Sequence, residues 1–257
     1  MSRRPLFARL QWVGVAALLL LWQAVFSLRL WPDYLLPSPA AVAQTLWRLT
    51  LSGALPAGLL TTLGRLAVGY LVAAVAGLAA GLVLARSDRL SEVFGPVVLG
   101  FQALPSICWF PLAILWVGLN EGAILFVTVV GTLFAVISST ESAIRNLPPT
   151  YVRAGVTMGA KGWRLYTGVI LPAALPQILT GLRVGWSFSW RSLMSAELLF
   201  MNQGLGNLLS TGRELADAAQ VLAIILVILA VGLAIDRAVF ACWERRLRRR
   251  WGYERAA

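Results

Sequence analysis

The sequence predicts an all-α integral membrane protein with about six transmembrane helices. Of its 257 residues, 59% are hydrophobic and only 13% are charged, which is too apolar for an ordinary water-soluble domain. The apolar residues fall in runs close to the length of about 20 that a helix needs to cross a bilayer. The net charge of +11 lies mostly between these runs, so it indicates membrane orientation and contact with anionic lipid rather than nucleic acid.

Six apolar runs bounded by charges or turn residues are the predicted spans. They cover residues 10–28, 63–85, 93–119, 123–140, 178–200 and 218–240. The sequence before the first run, MSRRPLFAR, is basic, and no small-residue cleavage site clearly follows the run. We therefore expect a retained first span rather than a removed signal peptide.

The basic residues between the runs predict the orientation of the chain. If the amino terminus is inside, fifteen lysines and arginines lie on cytoplasmic segments and only Arg29, Arg48 and Arg213 lie on external ones. This asymmetry follows the positive-inside rule and predicts that both termini are cytoplasmic.

Two connections are long enough to carry structure of their own. The external one, residues 29–62, is predicted to hold a short helix on the membrane surface, capped by Ser38, begun by Pro39 and apolar along the face of Val42, Leu46 and Leu49. The internal one, residues 141–177, is polar, basic and bounded by prolines.

Polar residues inside two spans are candidates for a polar pathway through the membrane. Pro105 and Pro111 predict a kink in the third span, and Gln102 and Ser106 lie beside it. Arg191 lies near the middle of the fifth span, where its charge requires water, a counter-charge or carbonyl groups. The alternatives are a kink that serves packing alone, and an internal ion pair or a snorkelling side chain for Arg191.

Two other charged residues carry less weight as pathway candidates. Arg65 lies near the outer end of the second span and is expected to snorkel to the interface. Glu197 lies six residues after Arg191, which places it on a different face of a regular helix.

A stripe of small residues runs along the second span. Gly69, Ala73, Gly77 and Gly81 recur at intervals of four, a pattern that lets another helix backbone approach closely. We expect this helix to pack tightly inside the protein; an interface with another subunit is the alternative.

The internal connection reads YVRAGVTMGAKGWRLYTGVILPAALPQILTGL from Tyr151 onward. Residues 151–160 are expected to form a short helix that is broken by Gly159 and Gly162, and a second helical stretch then runs to Pro172 and Pro176. Apolar residues on a cytoplasmic loop are expected to be shielded from water. We therefore predict either that they form a docking surface for another protein or that the loop folds back on the chain's own spans. They are Val152, Val156, Trp163, Leu165 and Tyr166.

This connection resembles the signature of permeases of ATP-binding cassette (ABC) importers, which is E-A-A, three residues, G, nine residues and I-x-L-P. The pattern falls on Arg153, Ala154, Gly155, Gly159, Val169, Leu171 and Pro172. The spacing and the glycine match the signature. Arg153 replaces its acidic first residue, and Gly155 replaces its third.

The resemblance extends over nearly the whole chain and is closest to the sulfonate, nitrate and taurine branch. It is carried by the segments LLPSP, TLGRLAVGY, FPLAILWVGLNEGA, SAELL and QGLGNLL. It implies a single permease domain, residues 1–257, with the type I importer fold. Residues 63–240 would form its five-helix core, residues 141–177 its cytoplasmic coupling loop and residues 29–62 its external loop.

Such a permease would be a homodimer in the plasma (inner) membrane. The resemblance implies that the loop couples the spans to a separate ATPase subunit and that an extracytoplasmic binding protein delivers the solute, here expected to be an anion such as a sulfonate, taurine or nitrate. The chain has no phosphate-binding G-x-x-x-x-G-K-[ST] loop and no histidine. We therefore expect no catalytic residue, metal or cofactor, and no enzyme activity of the chain itself.

Three alternatives stay open at this stage. The first is the same kind of importer for a vitamin precursor or another uncharged or cationic solute. The second is a membrane enzyme built around Glu141 or Glu197, although no cluster of nucleophile and base accompanies either. The third is a transporter driven by an ion gradient, although the two halves of the sequence show no internal similarity.

Overall fold

The computed structural model describes residues 4–32, 34–200, 203–240, 242 and 243, with side chains from residue 13 onward. Within these residues the regular structure is entirely helical. The α-helices are α1 (Arg4–Ser27), α2 (Pro39–Leu51), α3 (Ala54–Arg86), α4 (Asp88–Ala103), α5 (Phe110–Val117), α6 (Glu121–Arg145), α7 (Pro149–Thr157), α8 (Gly162–Leu165), α9 (Leu171–Leu199), α10 (Leu205–Glu214) and α11 (Ala218–Ile235). A 3₁₀ turn covers Ser106–Trp109, and π-helical turns cover Tyr166–Ile170 and Asp236–Phe240.

All six predicted spans coincide with helices. In the part of the chain that the structure describes, four helical segments are long and apolar enough to cross a membrane: Ala54–Arg86, Glu121–Arg145, Gly162–Leu199 and Ala218–Phe240. A fifth candidate is the bent pair Asp88–Ala103 and Ser106–Val117. The first predicted span lies in α1, of which the described side chains, Val13–Ser27, form an apolar helical segment; the side chains of residues 10–12 lie outside those described.

The chain divides into two compact units, and one of them contains α2 and α10. This unit comprises the described residues up to Thr61 and residues 203–229. As predicted, α2 begins at Pro39, and the Ser38 hydroxyl accepts a hydrogen bond from the Ala41 amide at 3.1 Å. Val42 and Leu49 are buried and Leu46 is half-buried, so the predicted apolar face is confirmed, while the position of α2 on the membrane surface stays a prediction.

The other unit, Thr62–Phe200 with the described residues from 230 onward, contains the close packing of α3 on α6. A Cβ atom built on Gly77 would lie 2.7 Å from Val136 Cβ, and one on Gly81 would lie 2.6 Å from Thr140 Cβ. These distances are shorter than real side chains allow, so only glycine permits the helices to approach this closely. The prediction that the small-residue stripe packs inside the protein is confirmed.

Helix α6 also packs closely against α9. A Cβ on Gly181 would lie 2.6 Å from Ser139 Cβ, and one on Gly185 would lie 2.6 Å from Val136 Cγ2. Val136 therefore touches glycine positions on both α3 and α9, which makes α6 the central helix of this unit.

The third predicted span is broken rather than kinked. Its two parts meet at an angle of 98°. Proline disfavours helical backbone at the residue before it, and Leu104, which precedes Pro105, is extended with ψ 129°. Pro111 lies in the first turn of α5, where a helix tolerates proline. The prediction of a single kinked helix is therefore wrong, because the third span consists of two separate helices.

The prolines Pro172 and Pro176 do not end the helix that precedes them, contrary to the sequence prediction. The helical segment continues from Gly162 to Leu199. Across Tyr166–Ile170 it widens into a π-helical turn, in which the Leu171 amide donates to the Tyr166 carbonyl. Pro172 has no amide hydrogen to donate to a carbonyl in the preceding turn of the helix. The π-helical turn shifts the hydrogen-bond register just before this residue, so the helix continues through Pro172 without a break.

Candidate functional site

A polar cavity lies where the third span breaks. Its volume is about 370 Å³, and its walls come from α4, the 3₁₀ turn, α6 and α9. Three of its lining residues are the predicted pathway candidates Gln102, Ser106 and Arg191. The structure thus brings together residues that are up to 89 positions apart in the sequence, although their role in transport stays a prediction.

Arg191 is the charged group of this cavity. Its Nε atom donates to the Ser187 carbonyl at 3.2 Å, and its guanidinium carbon lies 4.7 Å from the centroid of the Phe188 ring. Among the described residues it forms no salt bridge, and its side chain is exposed. A cation in the middle of a membrane span in this state requires water or an anion beside it.

The neighbouring polar groups are held by contacts within the wall. Gln102 Oε1 accepts a hydrogen bond of 2.6 Å from Ser138 on α6, which leaves the amide nitrogen as a donor. The Ser195 hydroxyl donates to the Arg191 carbonyl at 2.9 Å. The cavity is therefore lined by an arginine, an amide and several hydroxyl groups, a composition suited to a small oxyanion.

Gly131 on α6 creates part of this space. A Cβ atom at that position would lie 2.9 Å from Ser192 Cβ and 3.1 Å from Ser106 Cβ. Gly131, Ser192 and Ser195 also line the cavity, although they are not among the residues predicted from the sequence. For Ser195 a signal existed, since it lies four residues after Arg191 and thus on the same helix face.

The residues that match the permease signature lie on α7 and the helix that follows it. Arg153 and Ala154 are exposed on α7, whereas Gly155 is buried. A Cβ on Gly155 would lie 3.0 Å from Val169 Cγ2, so this glycine brings α7 against the π-helical turn. Leu171 and Pro172 follow that turn and are half-buried.

Gly159 ends α7 in a Schellman motif. Its φ of +86° is a left-handed conformation that favours glycine. The Gly159 amide donates to the Val156 carbonyl at 2.9 Å, and the Ala160 amide donates to the Gly155 carbonyl at 3.0 Å. Gly162 also has a positive φ, +53°, so the predicted break between the two helical stretches is present and each glycine has a conformational reason.

The surface of this helix-turn-helix is strongly apolar. Val156 is 49% exposed, Met158 87% and Trp163 66%, whereas Leu165 and Tyr166 are half-buried. Of the predicted apolar residues, Leu165 and Tyr166 thus pack partly against the chain itself, whereas Val156 and Trp163 remain exposed. Exposed apolar groups of this size are typical of a protein docking surface.

A buried charge cluster joins three helices elsewhere in the same unit. Arg65 on α3 contacts Glu197 on α9 at 2.9 Å and also Glu121 at the start of α6. Arg65 is 7% exposed and Glu197 is fully buried. The expectation that Arg65 snorkels is therefore wrong, because two carboxylates hold its guanidinium inside the protein.

The same contacts bear on the two carboxylates considered for an enzyme. Glu197 accepts a hydrogen bond from Thr62 at 2.8 Å in addition to its contact with Arg65. Glu141 accepts one from Ser91. Both carboxylates thus serve contacts between helices.

Comparison with known proteins agrees with this architecture. Residues 73–249 match the family described as "Binding-protein-dependent transport system inner membrane component". The Taurine transport system permease protein TauC of Escherichia coli is 29% identical, over 91% of this chain and 86% of the relative. The Riboflavin transport system permease protein RibX of Chloroflexus aurantiacus is 30% identical, over 90% and 89%.

Two further matches extend the picture. The Nitrate import permease protein NrtB of Synechocystis is 26% identical, over 88% of this chain and 84% of the relative. Among solved structures, a chain of the MetNI methionine ABC transporter in inward-facing conformations has a TM-score of 0.66 at 19% identity, over 76% of this chain and 96% of that chain. This last similarity concerns the fold.

The helical fold and the spans therefore define a multi-pass membrane protein of the plasma membrane. The chain belongs to the family of binding-protein-dependent transport system inner membrane components. It is the permease subunit of an ABC importer, a class that works with an ATPase and a substrate-binding protein.

Proposed function

We propose that this permease imports a small solute that carries an oxyanion, such as a sulfonate or nitrate. The observation that carries the proposal is Arg191, which lines the 370 Å³ cavity without an acidic partner among the described residues. A guanidinium group without a carboxylate partner favours the binding of an anionic solute. The names of the taurine and nitrate permeases, to which the chain is similar, support the same class of solute.

The cavity would be completed by a second copy of the chain. Arg191 is exposed on the surface of this single chain within the candidate span Gly162–Leu199. Exposure of a charged side chain to lipid is unfavourable by about 3 kcal/mol or more. A homodimer in which the two Arg191 side chains face a shared aqueous path removes this cost.

The proposed coupling surface runs from α7 through the π-helical turn to the start of α9. Its signature residues are Arg153, Ala154, Gly155, Gly159, Val169, Leu171 and Pro172. Gly155 supports this role because it packs α7 on Val169, so a force on α7 reaches α9 through the continuous helix. The exposed Met158 and Trp163 supply apolar contact area. ATP hydrolysis would then occur in the separate ATPase subunit and move α9 with its Arg191.

The proposal is tested by uptake into proteoliposomes that contain the permease, its ATPase and its binding protein. We expect Arg191→Gln to reduce uptake of the anion at least about tenfold, and Arg191→Lys to retain part of it, because lysine keeps the charge but not the paired donors. Arg89→Gln, which removes a charge outside the cavity, serves as the control. Unchanged uptake by assembled Arg191→Gln complexes would overturn the proposal.

An uncharged solute is the second candidate, favoured by the similarity to a riboflavin permease. In that case Arg191 would line a water-filled path without binding the solute. Competition for the cognate binding protein by taurine, nitrate and riboflavin separates the two candidates: displacement by riboflavin alone supports the uncharged solute.

A further inference from the structure

A second cavity lies at the other end of the same helices and shares no lining residue with the first. Its volume is about 570 Å³. It is formed by the end of α3, the start of α4, the end of α6, the α7 helix and the π-helical turn at Tyr166. The positive-inside rule assigns these helix ends to the cytoplasmic face of the membrane.

Three arginines line this cavity: Arg86, Arg145 and Arg153. Among the described residues, the acidic group in the lining is Asp88, which contacts Arg145 at 3.0 Å but is itself 85% exposed. An exposed pair of this kind compensates charge weakly. Arg86 and Arg153 have no acidic partner among the described residues, so the cavity carries a local excess of two positive charges.

An aromatic side chain restricts the position of one of these three arginines. The guanidinium carbon of Arg86 lies over the Trp163 ring, 6.0 Å from its centroid, which limits the positions that this side chain can take. A concave site lined by one sign of charge concentrates counter-ions. Guanidinium groups also match phosphate in shape, because each can donate two parallel hydrogen bonds.

The inner wall of the cavity is apolar. Ile144, Leu147 and Ile170 line it, and Ile144 belongs to a buried cluster with Ala143, Ala174 and Ile178. The cavity thus combines basic groups with an apolar wall at the ends of the predicted spans. A phospholipid has the same arrangement, with a charged headgroup beside its apolar chains. The cytoplasmic leaflet is also where anionic lipids accumulate.

We propose that this cavity is a binding site for the phosphate group of an anionic ligand, with Arg86, Arg145 and Arg153 as donors. A phospholipid headgroup and free phosphate present the same chemistry to these donors, and the apolar wall favours the lipid. Because Arg153 belongs to α7 and the other two arginines end α3 and α6, an occupant joins the proposed coupling helix to the spans. Anionic lipid would thereby strengthen coupling, a consequence that rests on the proposed function.

Binding is tested without ATP or solute, so its outcome is independent of the transport proposal. The full-length chain in detergent micelles is titrated with phosphatidylglycerol, with phosphatidylcholine and with inorganic phosphate at constant ionic strength, and its melting temperature is recorded. We expect saturating phosphatidylglycerol to raise the melting temperature by about 5 °C relative to phosphatidylcholine. An equal rise with inorganic phosphate would support the site and identify free phosphate as a sufficient ligand.

The variant Arg86→Gln/Arg153→Gln should lose this rise, while it keeps the contact between Arg145 and Asp88. The control Arg89→Gln/Arg164→Gln removes the same charge from neighbouring positions that do not line the cavity, and it should keep the rise. Native mass spectrometry of single Arg153→Gln, an exposed position, provides a second readout: it should retain fewer bound lipids than the native chain. Equal shifts in the two double variants, or no shift in the native chain, would overturn the proposal.

Discussion

Arg65 Nη1 lies 2.9 Å from Glu197 Oε1, so a charged pair joins α3 to α9 in the interior of the protein. Glu197 is fully buried and also accepts a hydrogen bond from Thr62. Glu121 reaches the same guanidinium from the start of α6. The cluster therefore joins α3 to the start of α6 and to the end of α9.

Removal of this charge pair should strongly destabilise the protein. In Arg65→Gln the buried Glu197 carboxylate loses its counter-charge, which we expect to cost about 3 kcal/mol. Thermal unfolding of the purified chain in detergent measures this loss. The double variant Arg65→Gln/Glu197→Gln should recover part of it, because no uncompensated buried charge then remains; Glu121, whose side chain is 57% exposed, is solvated by water.

The control for this prediction is Arg48→Gln. Arg48 forms a 3.4 Å contact with Asp217, but its side chain is 64% exposed, and exposed pairs contribute at most about 1 kcal/mol. Equal destabilisation by Arg65→Gln and Arg48→Gln would show that the buried cluster has no special structural role.

Gly81→Ala tests the close approach of α3 to α6. The new Cβ would lie 2.6 Å from Thr140 Cβ and 2.8 Å from the Ile137 carbonyl oxygen, and backbone cannot move aside as a side chain can. We expect a loss of about 1 to 3 kcal/mol in thermal unfolding. Gly64→Ala on the same helix meets nothing within 4 Å and should leave stability unchanged or slightly raised; a similar loss in both variants would contradict the packing argument.

Gly131→Ala should narrow the proposed pathway. Its Cβ would press on the side chains of Ser106 and Ser192, which line the cavity beside Arg191. We expect uptake to fall about tenfold, equivalent to about 1.4 kcal/mol, while the ATPase still co-purifies. Gly100→Ala, which meets nothing within 4 Å, is the control, and normal uptake by Gly131→Ala would argue against passage through this cavity.

Gly155→Val tests the packing that supports the coupling surface. The branched side chain would overlap Leu165 and Val169 and push α7 away from the π-helical turn. We expect co-purification with the ATPase and ATP hydrolysis by the complex to fall at least about fivefold, equivalent to about 1 kcal/mol. Gly168→Val, which enters open space, should have little effect; full ATPase recruitment by Gly155→Val would contradict the assigned role.

Features with local sequence signals were predicted correctly. The Ser38 cap with Pro39 starts α2, Gly159 ends α7, and the small-residue stripe on α3 packs internally. The cap and the terminal glycine depend on residues within one or two helical turns, where residue type restricts the backbone directly. The stripe is visible as four small residues spaced four apart on a single helix.

Features that depend on partners distant in sequence were not predicted. Arg65 and Glu197 are 132 residues apart, so the sequence offered only the charge of Arg65 and its place near a span end. Gln102, Ser106 and Arg191 were selected one by one, but their common cavity depends on the 98° break and on Gly131. The π-helical turn that carries the chain past Pro172 likewise had no local pattern to reveal it.

We propose that ATP hydrolysis in a partner subunit drives solute through this permease. The most direct measurement is uptake of taurine, an aliphatic sulfonate, nitrate, bicarbonate and riboflavin by proteoliposomes with the permease, its ATPase and its binding protein, energised either by ATP or by an imposed proton gradient. We predict uptake of an anion that requires both ATP and the binding protein and persists when the proton gradient is collapsed. Uptake by the permease alone, driven by the proton gradient without the ATPase, would contradict the account.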